Sequence, residues 1–358
     1  MPMNPYENRN DVNQDRSGFR LGMIIRILAT CGIDFSLFSR RFSPNSLVIS
    51  ILLTSSISMQ GCGSKSNPPL RIGINVWPGY EIISLAQSLG YFEEEGVSVD
   101  IVEFDSLSDT RRALETGKVD AIGTTTIEFV MINARPGGKP AIVRRVFDSS
   151  NGADMIIAPK EIRTIAELKE KNVGLEVESV GVFLLGRALE LAGMDIQNVK
   201  PAPAHHLAMV EMLEEGKIAA AVTYPPRSVE LLRTGKYHVL FDSRQIPGEV
   251  IDIFVVDGKI ARERAEELGA FDRALDRAWG YLQNQREDAI RRMAKRERLS
   301  VHEFEKVLSD WIELTPPDRQ AEFLKKDGPV SSSVLRSAKY LQALGIIPDG
   351  TLPSQFAP

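Results

Sequence analysis

From residue 70 onward the apolar positions follow two spacings, and each change from one to the other marks an element. Leu70-Arg-Ile-Gly-Ile-Asn-Val76 alternates and is β-branched, which predicts a strand. Trp77-Pro-Gly-Tyr80 interrupts it, because Pro and Gly stop regular structure. Residues 82–90 then carry apolar side chains at helical spacing and end in Gly90, a favoured helix stop. Further strands are predicted over 97–102, 119–122 and 141–147, with a helix over 108–115 capped by Ser106 or Ser108. The same succession then recurs: strands over 173–176, 199–202, 218–223 and 237–241, helices over 182–191 and 206–215. Strands alternating with helices of about ten residues indicate a parallel, doubly wound sheet. After Lys259 only helical spacing remains, through Phe271, Leu275, Trp279, Leu282, Ile290 and Met293.

Part of this pattern is a literal repeat. Leu114-Glu-Thr-Gly-Lys-Val-Asp-Ala-Ile-Gly-Thr124 matches Leu213-Glu-Glu-Gly-Lys-Ile-Ala-Ala-Ala-Val-Thr223, and Asp154-Met-Ile-Ile-Ala matches Asp252-Ile-Phe-Val-Val. Two similar α/β units imply two lobes with a cleft between them, where a small ligand can be enclosed. The expected fold class is α/β and two-lobed. Each lobe is a mostly parallel doubly wound sheet, and a C-terminal helical segment packs on the first. Lobe 1 is expected over 69–155 plus 253–358 and lobe 2 over 156–252, with Asp154 and Asp252 as hinge residues bonding backbone amides.

Composition narrows the function. A 25% charged, 43% apolar chain of net charge −5 is an ordinary folded protein with no basic surplus for nucleic acid. The two cysteines, Cys31 and Cys62, both precede the folded region, which excludes a cysteine nucleophile or a Cys-based metal site from the body. Of the four histidines only His205 and His206 are adjacent, and they read as surface residues, with no metal site expected. Arg40-Arg41, the apolar run 47–57 and Met59-Gln-Gly-Cys62 resemble a lipoprotein signal, the run being too short to span a bilayer. Residues 1–62 are therefore expected to be leader and signal, Cys62 the lipidation site, and 63–69 a tether. Met59 and Gln60 depart from the usual residues of such a signal, and plain secretion and an uncleaved anchor remain open.

In open α/β sheets ligands bind beyond the carboxyl ends of the strands, which selects five turns. Their candidate ligand-binding residues are Trp77, Tyr80, Thr124, Thr125, Thr126, Asn151, Asp154, Glu178, Ser179, Gly181 and Tyr224. Trp77 offers a stacking face, the Thr and Ser hydroxyls offer hydrogen bonds, and the Ser179–Gly181 turn offers free amides at a helix start. Each has a plainer reading: a packing aromatic for Trp77, helix caps for Thr124–Thr126 and Ser179, a strand end for Tyr224. No nucleophile elbow, zinc-protease motif or phosphate loop is present, so no catalytic residue and no cofactor is assigned.

The segments Arg71-Ile-Gly-Ile-Asn-Val-Trp-Pro-Gly-Tyr80, Ala86-Gln-Ser-Leu-Gly-Tyr-Phe-Glu-Glu-Glu-Gly96 and Val173-Gly-Leu-Glu-Val-Glu-Ser-Val-Gly181 carry a resemblance. Ser150-Asn-Gly-Ala-Asp154 and Thr223-Tyr-Pro-Pro226 extend it. Together they resemble the nitrate/sulfonate/taurine class of ABC-transporter solute-binding proteins, within the type 2 periplasmic binding protein superfamily. The resemblance implies a two-lobed binding protein outside the cytoplasmic membrane, which hands its solute to a membrane permease driven by an ATPase; a monomer without catalytic activity, lipid-anchored through Cys62, is expected. The superfamily also includes thiamine-pyrimidine binders and a pyrimidine-synthesising enzyme whose cysteine- and histidine-rich motif this body lacks. An enzyme acting on a small heterocycle and a ligand-sensing lipoprotein are the alternatives. Asp148, Asp154 and Glu178 in the turns, with no Lys or Arg, favour an amine-bearing or heterocyclic solute over a plain sulfonate.

Overall fold

The computed structural model describes residues 67–349; the expected leader, Cys62 and most of the tether lie outside them. Eleven strands among the described residues form two sheets. They are β1 Leu70–Asn75, β2 Val99–Phe104, β3 Ala121–Thr125, β4 Ala141–Ser150, β5 Met155–Pro159 and β6 Asn172–Leu175. β7 Lys200–Pro203, β8 Ala220–Thr223, β9 Tyr237–Asp242, β10 Ile251–Asp257 and β11 Ile312–Leu314 complete them. The first sheet has the order β11-β4-β10-β3-β1-β2 and the second β7-β6-β8-β5-β9.

Pairing directions refine the expectation of parallel sheets. In the first sheet β1, β2, β3 and β4 run one way, while β10 and β11 are antiparallel to their neighbours. In the second, β5 alone runs against β6, β7, β8 and β9. The reversed strands β5 and β10 are the two Asp-led segments, each being the first strand after the chain changes sheet. Entering a parallel array without a crossover helix forces an antiparallel strand. The sheets are therefore mixed, through the strands that join them.

The sequence repeat is a structural repeat. The helix Leu107–Glu115 turns at Gly117 (φ +73°) into β3, and the helix Met209–Glu214 turns at Gly216 (φ +69°) into β8. Both turns close with the same bonds, Lys118 N–H to the Ala113 carbonyl and Lys217 N–H to the Met212 carbonyl, each 2.9 Å. A left-handed residue is required at that point, and only Gly adopts it without strain.

The C-terminal helices cover the first sheet. Ala265–Asn284 packs on Glu81–Ser88, with Phe92, Phe271 and Phe254 in a stacked row at 5.2 and 4.8 Å. Pro329–Ala343 packs on Thr126–Ala134 and also touches Val180–Leu191, where Tyr340 meets Phe183 edge-on. A hydrophobic core runs from the first sheet into the second, and the described residues cluster as one compact unit.

Candidate functional site

The carboxyl ends of β1, β3 and β4 carry one wall of a seam. Trp77, just past β1, donates its indole N–H to Asp148 Oδ2 on β4 at 3.1 Å. The Tyr80 hydroxyl donates to Asp252 at the start of β10. Asp252 lies in register with Asp148 of β4 and Thr125 of β3, so the three residues form one row across the sheet. Two glycines leave room for this row. A Cβ on Gly79 would sit 1.8 Å from Asp148 Oδ2, and one on Gly123 would meet the Tyr80 ring at 3.1 Å.

The other wall comes from the second sheet: Glu176 after β6, Ser179 to Gly181 at the start of the helix Val180–Leu191, and Thr223-Tyr224 after β8. His206 stacks on Tyr224 with ring centroids 3.9 Å apart and planes within 11°. Trp77 meets the same Tyr224 edge-on at 5.9 Å, which joins the walls.

Glu128 is the strongest link between them. Thr125 caps the helix Thr126–Ala134, and Glu128, three residues on, returns a bond to the Thr125 amide in a capping box. Its other oxygen accepts the Ser179 hydroxyl at 2.6 Å and the Val180 amide at 2.8 Å. A carboxylate from one sheet thus occupies the N-terminus of a helix on the other, a position that backbone N–H groups and the helix dipole favour for an anion. At the rim Arg111 and Arg112 reach Glu178 at 2.7 and 3.2 Å, and His205 meets Asp109 at 3.2 Å.

Behind the seam the two chain crossings are tied by serines. Ser150 and Ser243 hydroxyls lie 2.8 Å apart, and they receive the amides of Asp154 and Gly152 at 3.1 and 2.6 Å. The amide-binding role expected of Asp154 and Asp252 is therefore filled by Ser150 and Ser243. Both aspartates are buried: the Asp252 carboxyl accepts the Tyr80 hydroxyl, and Asp154 lines the seam cavity.

Burial dominates the electrostatics. It raises the Asp148, Asp154 and Glu176 carboxyls to about 7 and drives Asp252 well above the ordinary range, neighbouring carboxylates adding to each. Burial also lowers His206 to about 3, leaving a neutral ring at neutral pH. Asp154, Glu176, Gly181, His206, Thr223 and Tyr224 line a residual cavity of about 10 Å³, roughly the space of one water.

The candidates divide accordingly. Trp77, Tyr80, Thr124, Thr125, Asp154, Ser179, Gly181 and Tyr224 are buried around the seam. Thr126 points away from it, to the Ser333 hydroxyl at 2.7 Å. Glu178 is displaced to the rim, its side chain 55% exposed and paired with the two arginines, because the tight turn into the next helix carries it outward. Asn151 is exposed at the crossing, where its amide bonds the Trp311 carbonyl. The expectation that His206 lies on the surface is corrected: it is 4% exposed, while its neighbour His205 faces out. Glu128, Glu176 and His206 were not among the candidates. Only Glu128 had a readable signal, the Thr-x-x-Glu spacing of a capping box.

Solved structures place this arrangement in the periplasmic binding protein fold. The alkanesulfonate-binding protein SsuA of Xanthomonas axonopodis pv. citri, bound to MOPS, superposes with a TM-score of 0.68 at 19% identity, covering 80% of this chain and 96% of that one. The nitrate-binding protein NrtA of Synechocystis PCC 6803 gives 0.66 at 11% identity, covering 79% and 83%. The family model described as NMT1/THI5 like matches residues 77–289, and the chain belongs to that family. Among curated relatives, a Brucella abortus (strain 2308) protein named as a binding protein is 30% identical over 183 residues, 48% of this chain and 52% of its own. The chain thus spans about half the length of the Brucella relatives it matches. An Escherichia coli (strain K12) protein named as an aliphatic sulfonates-binding protein is 24% identical over 269 residues, 73% of this chain and 81% of its own.

Proposed function

We propose that this chain is the extracytoplasmic solute-binding component of an ABC importer, without catalytic activity, which holds a small organic solute in the seam between its two sheets. The lobes are residues 69–155 with 253–358, and 156–252, and the two crossings at 150–155 and 243–252 act as the hinge. Cys62 carries the lipid that keeps the protein at a membrane, where it meets a permease and its ATPase. The carrying observation is that the carboxyl ends of both sheets converge on one seam, bridged by Glu128 with Ser179 and Val180. The relatives named for sulfonate and nitrate binding support the role. With so small a residual cavity, solute access requires the lobes to part, and closure then re-forms the bridge around the solute.

Native mass spectrometry of the protein purified from its own cells tests this reading. A stoichiometric small molecule that leaves on mild denaturation is expected. A protein with no retained solute, and no saturable binding of any candidate, contradicts it.

A further inference from the structure

We infer that the seam takes an organic cation, a protonated amine, amidine or guanidine, and rejects oxyanions; the inference rests on the solute-binding reading above.

Three observations lead there. The first is that the helix-start donors suited to an anion are already engaged. The Ser179 hydroxyl and the Val180 amide, at the start of a twelve-residue helix, both serve the protein's own Glu128. An incoming sulfonate would have to displace a buried carboxylate from those donors.

The second is the charge that remains. Asp148, Asp154, Asp252 and Glu176 all face the seam, and among the described residues no Arg or Lys pairs with any of them. The nearby arginines are committed elsewhere: Arg111 to Glu115 and Glu178, Arg112 to Asp109 and Glu178. Arg227 acts on His206 but pairs with Glu230 at 2.6 Å and does not line the cavity. An oxyanion placed here meets four carboxyl groups and no cation, whereas a cationic N–H group makes charge-assisted bonds to their ionised form.

The third is a set of buried polar atoms without partners at the cavity. Glu176 Oε1, the Thr223 hydroxyl and both nitrogens of His206 are unbonded, on side chains that are 7%, 2% and 4% exposed. Buried polar groups ordinarily find partners, and a solute bearing several N–H donors would serve the carboxylate and hydroxyl acceptors here. Trp77 and Tyr224 add aromatic rings against which a cation is attracted. Among the described residues no three acidic or imidazole groups converge as metal ligands would, which favours an organic cation over a metal ion.

The test is calorimetric titration of the full chain at pH 8 with two panels. One holds amines, amidines and guanidines, including 1,4-diaminobutane and benzamidine; the other holds ethanesulfonate, nitrate and small carboxylates. Saturable binding confined to the cationic panel is expected, weakened at least tenfold in Asp154→Asn and in Glu176→Gln, each checked by circular dichroism for a native fold. Two variants guard against one failing to fold. Binding confined to the anionic panel overturns the cation assignment and leaves the solute-binding role standing. Binding by neither panel, with no solute retained under native conditions, removes that role and the inference with it.

Discussion

The Glu128 carboxylate accepts the Val180 amide at 2.8 Å, so a side chain of the helix after β3 completes the first turn of a helix from the second sheet's lobe. The same oxygen takes the Ser179 hydroxyl, while the second oxygen serves Glu128's own helix cap. A single residue therefore couples local helix formation to closure of the seam.

Ser179→Ala removes one bond across the seam and leaves the Thr125 cap intact. A hydrogen bond to a charged group is worth about 1.5–3 kcal/mol. The closed-to-open ratio is expected to fall roughly 10- to 100-fold, read as a larger radius of gyration in small-angle scattering. An unchanged radius would mean that the bridge does not hold the lobes together.

Gly79→Ala places a methyl group where Asp148 Oδ2 stands, 1.8 Å from the ideal Cβ position. The Trp77–Asp148 bond must shift to admit it. Overpacking of this kind costs about 1–3 kcal/mol, which is expected to lower the Tm by several degrees in calorimetry. A variant as stable as the parent would show that the turn tolerates a side chain there.

Closure is expected to depend on pH. Asp148, Asp154 and Glu176 titrate near 7 in the closed seam and near 4 once solvated, so closure takes up their protons between those values. Their preference for the closed form is complete below about pH 4, is lost as pH rises through 7, and is level above. His206, lowered to about 3, opposes this, since closure expels its proton below about 6.5. Glu128, Asp252, Asp109 and His205 face the same groups. Burial raises Asp252 as well, so four uptakes against one release leave a net uptake of protons near pH 5 to 6. The radius of gyration of the protein without added solute should therefore grow between pH 5 and 8. A constant radius contradicts the burial of these carboxyls in the closed form.

His206→Phe keeps an aromatic ring on Tyr224 and removes two unbonded nitrogens. Replacing a buried polar group that lacks partners is near neutral or stabilising. The Tm is expected to hold or rise, while affinity for the co-purified solute falls several-fold. Equal affinity in the variant would take His206 out of the site.

The sequence carried the architecture further than the site. The repeat at Leu114 and Leu213 marked the paired units because helix, Gly turn and strand is a local motif whose chemistry survives duplication. The reversal of β5 and β10 was less plain, since strand direction follows from chain routing and not from apolar alternation. Within the seam, Trp77 and Tyr224 were legible because they closely follow β1 and β8, and Asp154 because it leads β5 as Asp252 leads its counterpart in the repeat. His206 was not, because it sits in a helical segment and reaches the seam only through long-range packing, and the capping-box spacing of Glu128 marks its helix start but not its reach to Ser179 and Val180. Glu178 was misplaced for the opposite reason: a residue at a strand end can still be turned outward by the next helix.

Solute binding as proposed requires two lobes that part and close along this seam. Distance measurement between spin labels at Asp105→Cys, in the bend after β2, and Leu207→Cys, in the short helix after β7, both exposed, addresses it directly, with Cys31 and Cys62 replaced by Ser. Two separations are expected in the parent, with the longer one gaining population in Ser179→Ala and at pH 8. A single narrow separation, unmoved by either change, would contradict it.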